Sequence, residues 1–232
     1  MKVHAFESLA STQTYCLEKH PELEDFCVVV CERQTGGIGR SGRSWVSVGE
    51  SLTFSICLKL KSPPLKNLSV RVSWTVKRVL EAHGVGSLRV KWPNDVCIQK
   101  TPTKTEKVSG ILINTVENET GTVHIIGIGI NLGGVLPYAT IDTLAAQPIN
   151  KHQLMTDIAE EVAKEAKNGP DTPFSETQVF PHNHLYLNKE IYKILTVGDT
   201  LVLEGKGGRQ TVSLSEYSYD LDRNTLTWTG CI

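Results

Sequence analysis

The chain has 232 residues, 40% of them hydrophobic, and a formal net charge of −1. That length holds one good-sized domain with a real core plus a small appendage. The near-neutral charge excludes a general polyanion trap, so attraction to nucleic acid or to an anionic membrane would need a local patch.

In chain order, VHAFE from Val3 and FCVVVCE from Phe26 read as strands, joined by a short helix from Ser11 to about His20. The second strand is apolar on both faces and is expected to be central. SLTFSICLKL from Ser51 is a further strand, ending at the turn-rich KSPPLKN. Leu65, Leu68, Val72, Val76, Val79 and Leu80 recur at helical spacing and predict an amphipathic helix that stops near His83-Gly84. Strands return with SLRVKW, DVCIQ, KVSGILINTV and TVHIIGIGINL, the last two joined by the hairpin turn ENETG. Leu154, Met155, Ile158, Ala159, Val162, Ala163 and Ala166 outline a second long helix. After KNGPDTP the pattern weakens. From about Leu187 it becomes short Thr/Val/Leu-rich strands with Gly, Asp and Asn between them, which predicts a small β-barrel-like tail docked on the main domain. The division is expected at 1–186 and 187–232.

No apolar run approaches the roughly 20 residues that cross a bilayer, and the opening MKVHAFES lacks the apolar core of a signal peptide. A cytoplasmic protein with no membrane partner is expected. The cysteines, Cys16, Cys27, Cys31, Cys57, Cys97 and Cys231, form no C-x-x-C pair and have no histidine at metal-ligand spacing, so no metal site is expected. Cys27 and Cys31 would lie about 13 Å apart on one strand, too far for a disulfide, and reduced, buried, inert thiols are expected.

Residues 37 to 42, GIGRSG, spell G-x-G-x-x-G. A dinucleotide-binding turn needs a helix starting at the third glycine and an acidic residue about 20 residues on. Here RSWVSVGESLTFS follows, which is no helix, and no Gly-Lys-Ser/Thr closes the segment as a phosphate loop would. What is left is a glycine-rich connection carrying Arg33, Arg40 and Arg43 and ending at Trp45. Glycines let a backbone close over a ligand and arginines grip phosphate oxygens; a solvated surface loop has the same composition.

Other stretches carry the same ambiguity. KWPNDV (Lys91 to Val96) is a strand–turn–strand junction in which Asn94 and Asp95 serve either a turn or a ligand. Lys107 in KVSG opens a strand, where a lysine is usually solvated. Gly127 and Gly129 in GIGIN break an apolar strand, which implies close approach of another group. Ser11 and Thr12 fit a helix cap as well as a ligand contact.

Taken in order, ST, QTGGIGRSGRSWVS, VKWPND, KVSGIL and IGIGINL resemble the biotin protein ligases, over about Ser11 to Asn131. The tail looks like that family's small C-terminal domain by pattern. The resemblance implies an α+β catalytic domain, a mixed, mostly antiparallel sheet with packed helices, plus an SH3-like β-barrel. It implies synthesis of biotinyl-5′-AMP from biotin and ATP, with Mg²⁺ accompanying ATP, then transfer of biotin to one lysine of a biotin carboxyl carrier domain. Lys107 and Arg40 would carry the chemistry, since carboxylate attack on an α-phosphate joins two anions; one fixed positive charge at 4 Å is worth about 4 kcal/mol at an effective dielectric of 20. Ser11, Thr12, Gln13 and Gln34, with the backbone of Gly37, Ile38 and Gly39, would meet the ureido ring. Gly110, Gly127 and Gly129 would leave room for the bicycle. Arg40, Arg43, Trp45, Asn94, Asp95 and Asn131 would serve the nucleotide side. Residues 35 to 44 are expected to be disordered without ligand and to order over the labile adenylate, excluding water.

The sequence departs from the family where Gln13 replaces the common Asn, and where Ile38 and Ser41 stand at frequently basic positions. The chain begins at the catalytic region, so no DNA-binding activity is expected. Three rivals are a lipoate or octanoate ligase of the same fold, a catalytically silent biotin or nucleotide sensor, and a nucleic-acid-binding loop protein. An exposed strand edge would serve either a homodimer or the carrier domain.

Overall fold

The computed structural model describes residues 1–47, 50–61, 67–101, 104–119, 121–134, 139–168, 180, 184–198, 200–213 and 216–228. Its first sheet has seven strands in the order β1-β2-β3-β7-β6-β5-β4. These are β1 Lys2–Leu9, β2 Phe26–Gln34, β3 Glu50–Leu60, β4 Leu88–Lys91, β5 Asp95–Thr101, β6 Lys104–Asn118 and β7 Gly121–Gly133. Only the β1/β2 pair is parallel; the other pairs are antiparallel. The connection from β3 crosses to the far edge at β4, and the chain then returns by hairpins until β7 closes against β3. The expected mixed, mostly antiparallel sheet is thus present, with β2 between two neighbours, as its two apolar faces require.

Alternation along β3 sorts the two faces. Leu52, Phe54, Ile56 and Leu58 join Val28, Val30, Ile126, Ile128 and Ile130 in one buried cluster with the apolar stripes of α2 (Leu68–Ala82) and α3 (Lys151–Asn168). Each helix brings its 3.6-period stripe to this face, and an Arg71–Glu165 ion pair ties the two helices. Leu65, expected to open the first stripe, lies outside the described residues.

The opposite face carries Thr53, Ser55 and Cys57 of β3 and Val123, Ile125, Gly127 and Gly129 of β7. The short helix α1 (Thr12–Lys19) covers only its lower part, where Cys16 packs with Cys27, Val29, Cys57, Val123 and Ile125. Ser11 caps α1, its side chain accepting from the Thr14 N–H. Beyond the N-terminus of α1 the sheet face is left as a trough. The five described cysteines are free and buried, and burial pushes the Cys16 and Cys97 thiols up to about 12. Cys231 lies outside the described residues.

A second sheet of six strands follows, ordered β11-β10-β9-β8-β13-β12. It comprises β8 His184–Leu187, β9 Glu190–Val197, β10 Thr200–Gly205, β11 Gly208–Ser213, β12 Tyr217–Asp220 and β13 Thr225–Trp228. β8, which the sequence pattern did not single out, pairs parallel with β13 and closes the order. Leu185, Ile194, Leu201, Leu203 and Leu226 share one buried cluster with Val70, Val90, Trp92 and Cys97 of the first part. The Trp92 indole donates to the Gly198 carbonyl at 2.9 Å. The tail is therefore docked, as a six-stranded unit of this size requires.

Candidate active site

The trough above α1 is floored by strands whose outward positions are unusually small and polar. Thr53 and Ser55 on β3, Gly127 and Gly129 on β7 and Gly110 on β6 line it together with Ser11, Thr12, Gln13, Gln34, Ile38, Gly39, Arg40, Trp45, Asn94 and Lys107. The open space of the trough, mouth included, is about 450 Å³.

At the α1 end lies a buried chain of hydrogen bonds. Thr12 donates through its N–H to Gln34 Oε1 at 2.8 Å, and its hydroxyl lies 2.9 Å from Ser55 Oγ. Ser55 donates to Gln13 Oε1 at 3.0 Å, while Gln13 Nε2 donates to the Ile125 carbonyl and to Asn114 Oδ1, each at 2.9 Å. The extra methylene of Gln13 relative to an asparagine carries its amide down to the sheet backbone. Both of its polar atoms are spent on protein partners. The hydroxyl residues Ser11, Thr12, Thr53 and Ser55 all line the trough.

The roof is the 35–45 connection. It is folded on itself: Gly36 N–H donates to the Ala10 carbonyl, Gly39 N–H to Arg43, and Trp45 N–H to Gly37. Ile38 bridges Ser44, and a single 3-10 turn at Arg40–Gly42 makes the tip, with Ser41 and Gly42 at φ 53° and 71°. No α-helix follows the third glycine, so the dinucleotide reading fails on geometry. Arg40 Nη1 donates to Asn94 Oδ1 at 2.9 Å, and Asn94 is itself pinned by Nδ2 to the Ile111 carbonyl. Burial lowers the Arg40 pKa, an effect that Asp95 opposes.

Lys107 reaches the same space because of a bulge. Val96 pairs with Ser109 but Cys97 with Lys107, so Val108 is the extra residue on β6. The bulge inverts the alternation: Val108 turns into the core with Ile111, while Lys107 joins Gly110 on the trough side. Lys107 Nζ then lies 2.7 Å from Asp95 Oδ1 and 5.2 Å from the Trp45 ring centre. A second opening of about 830 Å³ adjoins this point and includes Arg43, Asp95, Trp45, Arg40 and Lys107. The arrangement offers a long slot, polar at one end and cationic at the other. That suits a ligand with a neutral hydrogen-bonding head and an anionic tail.

A model of the biotin/lipoate A/B protein ligase family matches residues 5–131, more than half of the chain. The chain belongs to the biotin/lipoate A/B protein ligase family. Among relatives of this family, the bifunctional ligase/repressor BirA of Escherichia coli is 35% identical over 127 residues, covering 53% of this chain and 38% of BirA. Human biotin–protein ligase is 35% identical over 136 residues, covering 54% of this chain and 18% of that protein. The chain thus spans under two fifths of the length of these relatives. The fold is shared across nearly the whole chain with the biotin protein ligase of Aquifex aeolicus in complex with biotin and ATP, at TM-score 0.70 and 21% identity, covering 98% of this chain and 99% of that one.

Within this family fold, the structure gathers most of the anticipated residues but not all in the same way. Gly37 is buried beneath Trp45 and shapes the loop rather than the trough. Asn131 donates to the Lys107 and Ala139 carbonyls and lines neither opening, so it braces the lysine's strand. Arg43 is exposed and borders the second opening only. Thr53 and Ser55 were missed by the motif reading. Their signal was present as two small polar residues alternating with Leu52, Phe54 and Ile56.

Proposed function

We propose that this chain is an ATP-dependent, AMP-forming biotin protein ligase. It makes biotinyl-5′-AMP with release of pyrophosphate and passes the biotinyl group to a lysine of a biotin carboxyl carrier domain. The observation that carries this reading is the placing of Lys107 and Arg40 at one end of a glycine-floored slot whose other end presents Thr12, Ser55 and Gln34. The names of the relatives, and the biotin and ATP held by the Aquifex protein, support the same substrates.

The ureido ring lies against Thr12 and Ser55 beside the Ile38 and Gly39 backbone, and the acyl chain runs over Gly127 and Gly129 beneath Trp45. Lys107 leaves Asp95 for the biotin carboxylate and then for the oxygens gathering charge as the carboxylate attacks the α-phosphate. Arg40 and Arg43 face the triphosphate, which brings its own Mg²⁺, and pyrophosphate leaves. The folded 35–45 roof excludes water from the mixed anhydride until the acceptor amine arrives. Chemistry resides in the first sheet and its helices, and the strands from His184 to Trp228 form a docked β domain. Free thiols fit a reducing compartment such as the cytoplasm. β1, at the sheet edge, is open to strand addition by the carrier domain or by a second copy.

The test is incubation of the protein with Mg-ATP, biotin and a carrier domain, read by mass spectrometry. One biotinyl mass on one lysine is expected; modification with lipoate in place of biotin, or none with biotin, overturns the reading.

A further inference from the structure

Away from the trough, below the C-terminal half of α1, three donors of different chemistry meet at the edge of the sheet. His4 is on β1, Glu24 is in the turn before β2, and Cys27 is the second residue of β2. One ligand atom from each lies within 4.8 Å of the others. His4 Nε2 is 2.9 Å from Glu24 Oε2, while Lys2 Nζ holds the other carboxylate oxygen at 2.5 Å. The His4 and Glu24 side chains are 24% and 40% exposed, whereas Cys27 beneath them is wholly buried. Cys57 is paired directly opposite Cys27 across the β2/β3 ladder.

We propose that His4, Glu24 and Cys27 form a Zn²⁺ site, with solvent at the fourth position. The donor set selects the ion. A hard cation such as Mg²⁺ or Ca²⁺ takes oxygen ligands throughout, and Cu⁺ prefers sulfur without carboxylate, whereas one sulfur, one imidazole nitrogen and one carboxylate oxygen suit zinc. Zn²⁺, the Cys27 thiolate, the Glu24 carboxylate and neutral imidazole sum to zero, which leaves Lys2, on the exposed side of the cluster, as the one uncompensated charge. The Cys27 proton leaves to solvent as the metal binds. Lys2 keeps Oε1 while Oε2 turns to the metal. Entry is from the exposed His4–Glu24 side. No C-x-x-C spacing announces this site, because its donors come from a strand, a turn and the next strand. Its effect is to staple the edge strand β1 to β2.

The full chain, reduced and freed of metal by a chelator, is titrated with Co²⁺ as the spectroscopic probe. The expected result is saturation at one equivalent, with thiolate-to-cobalt charge-transfer absorption and four-coordinate visible bands, displaced by Zn²⁺. Cys27→Ser should abolish the charge-transfer absorption. Because that residue is buried, the surface variants His4→Ala and Glu24→Gln keep the question open to decision if Cys27→Ser does not fold: each should weaken Co²⁺ binding about tenfold or more. Absence of charge-transfer absorption in the wild type, or unchanged affinity in both surface variants, overturns the site. None of these readouts depends on ligase activity.

Discussion

Trp45 occupies the volume that a side chain at Gly129 would fill. A Cβ built there would fall inside van der Waals contact of the indole, at Cε2 and Cζ2, and one at Gly110 would meet both the same ring and the Lys107 ammonium. The glycines of β6 and β7 are thus the seat of the roof's one large side chain. Gly129→Val should push Trp45 out of the trough and weaken biotin binding by about tenfold or more, while the unfolding midpoint moves little. Calorimetric titration with biotin beside a thermal melt checks this; unaltered binding would mean that the ring's seat is immaterial.

Lys107 is held by Asp95 and, on the proposed mechanism, changes partner as charge develops. Lys107→Ala should slow biotinyl-AMP formation by about 10²- to 10³-fold with a much smaller change in biotin affinity. Single-turnover pyrophosphate release and equilibrium binding separate the two effects. Equal losses in both would assign Lys107 to simple binding.

The Arg40–Asn94 hydrogen bond is the polar side-chain clasp between roof and floor. In a double-mutant cycle of Arg40→Ala and Asn94→Ala, read as the dissociation constant of the adenylate, the pair should be coupled by about 0.5 to 3 kcal/mol. Strict additivity would show that the roof closes without it.

Trp92 anchors the second sheet through its bond to the Gly198 carbonyl. Trp92→Phe keeps most of the apolar surface but strands that carbonyl, which should cost about 1 to 3 kcal/mol in urea unfolding. A cost near zero would mean that apolar packing alone docks the tail.

His124 on β7 is fully buried, with Nδ1 3.1 Å from the Thr115 hydroxyl and Nε2 without a partner among the described residues. Burial holds its pKa below the ordinary histidine value. As pH falls through about 6.5 the unfolded chain takes up the proton first, so stability declines with falling pH and levels off only below the folded-state pKa. His124→Phe should flatten this decline between neutral and mildly acidic pH in chemical unfolding. An unchanged slope would place its origin elsewhere.

Much of this molecule was legible in its residues. Period-2 alternation in β3 and the two helical stripes announced which faces are buried, because burial of apolar area is local in sequence once the period is known. The ordered glycine, arginine, Trp-Pro-Asn-Asp and Lys-Val-Ser-Gly segments named the family and most of the slot. The direction of Lys107 was not legible. Plain alternation would put it on the opposite face from Gly110, and only the bulge at Val108, set by pairing with a strand of different register, turns it inward. Nor could the chain order reveal that Gln13 spends its amide on the Ile125 carbonyl and Asn114, or that His4, Glu24 and Cys27 meet. Apart from the Glu24–Cys27 step, those contacts join residues 20 or more positions apart in the chain, and distance in space is decided by how strands cross and pair.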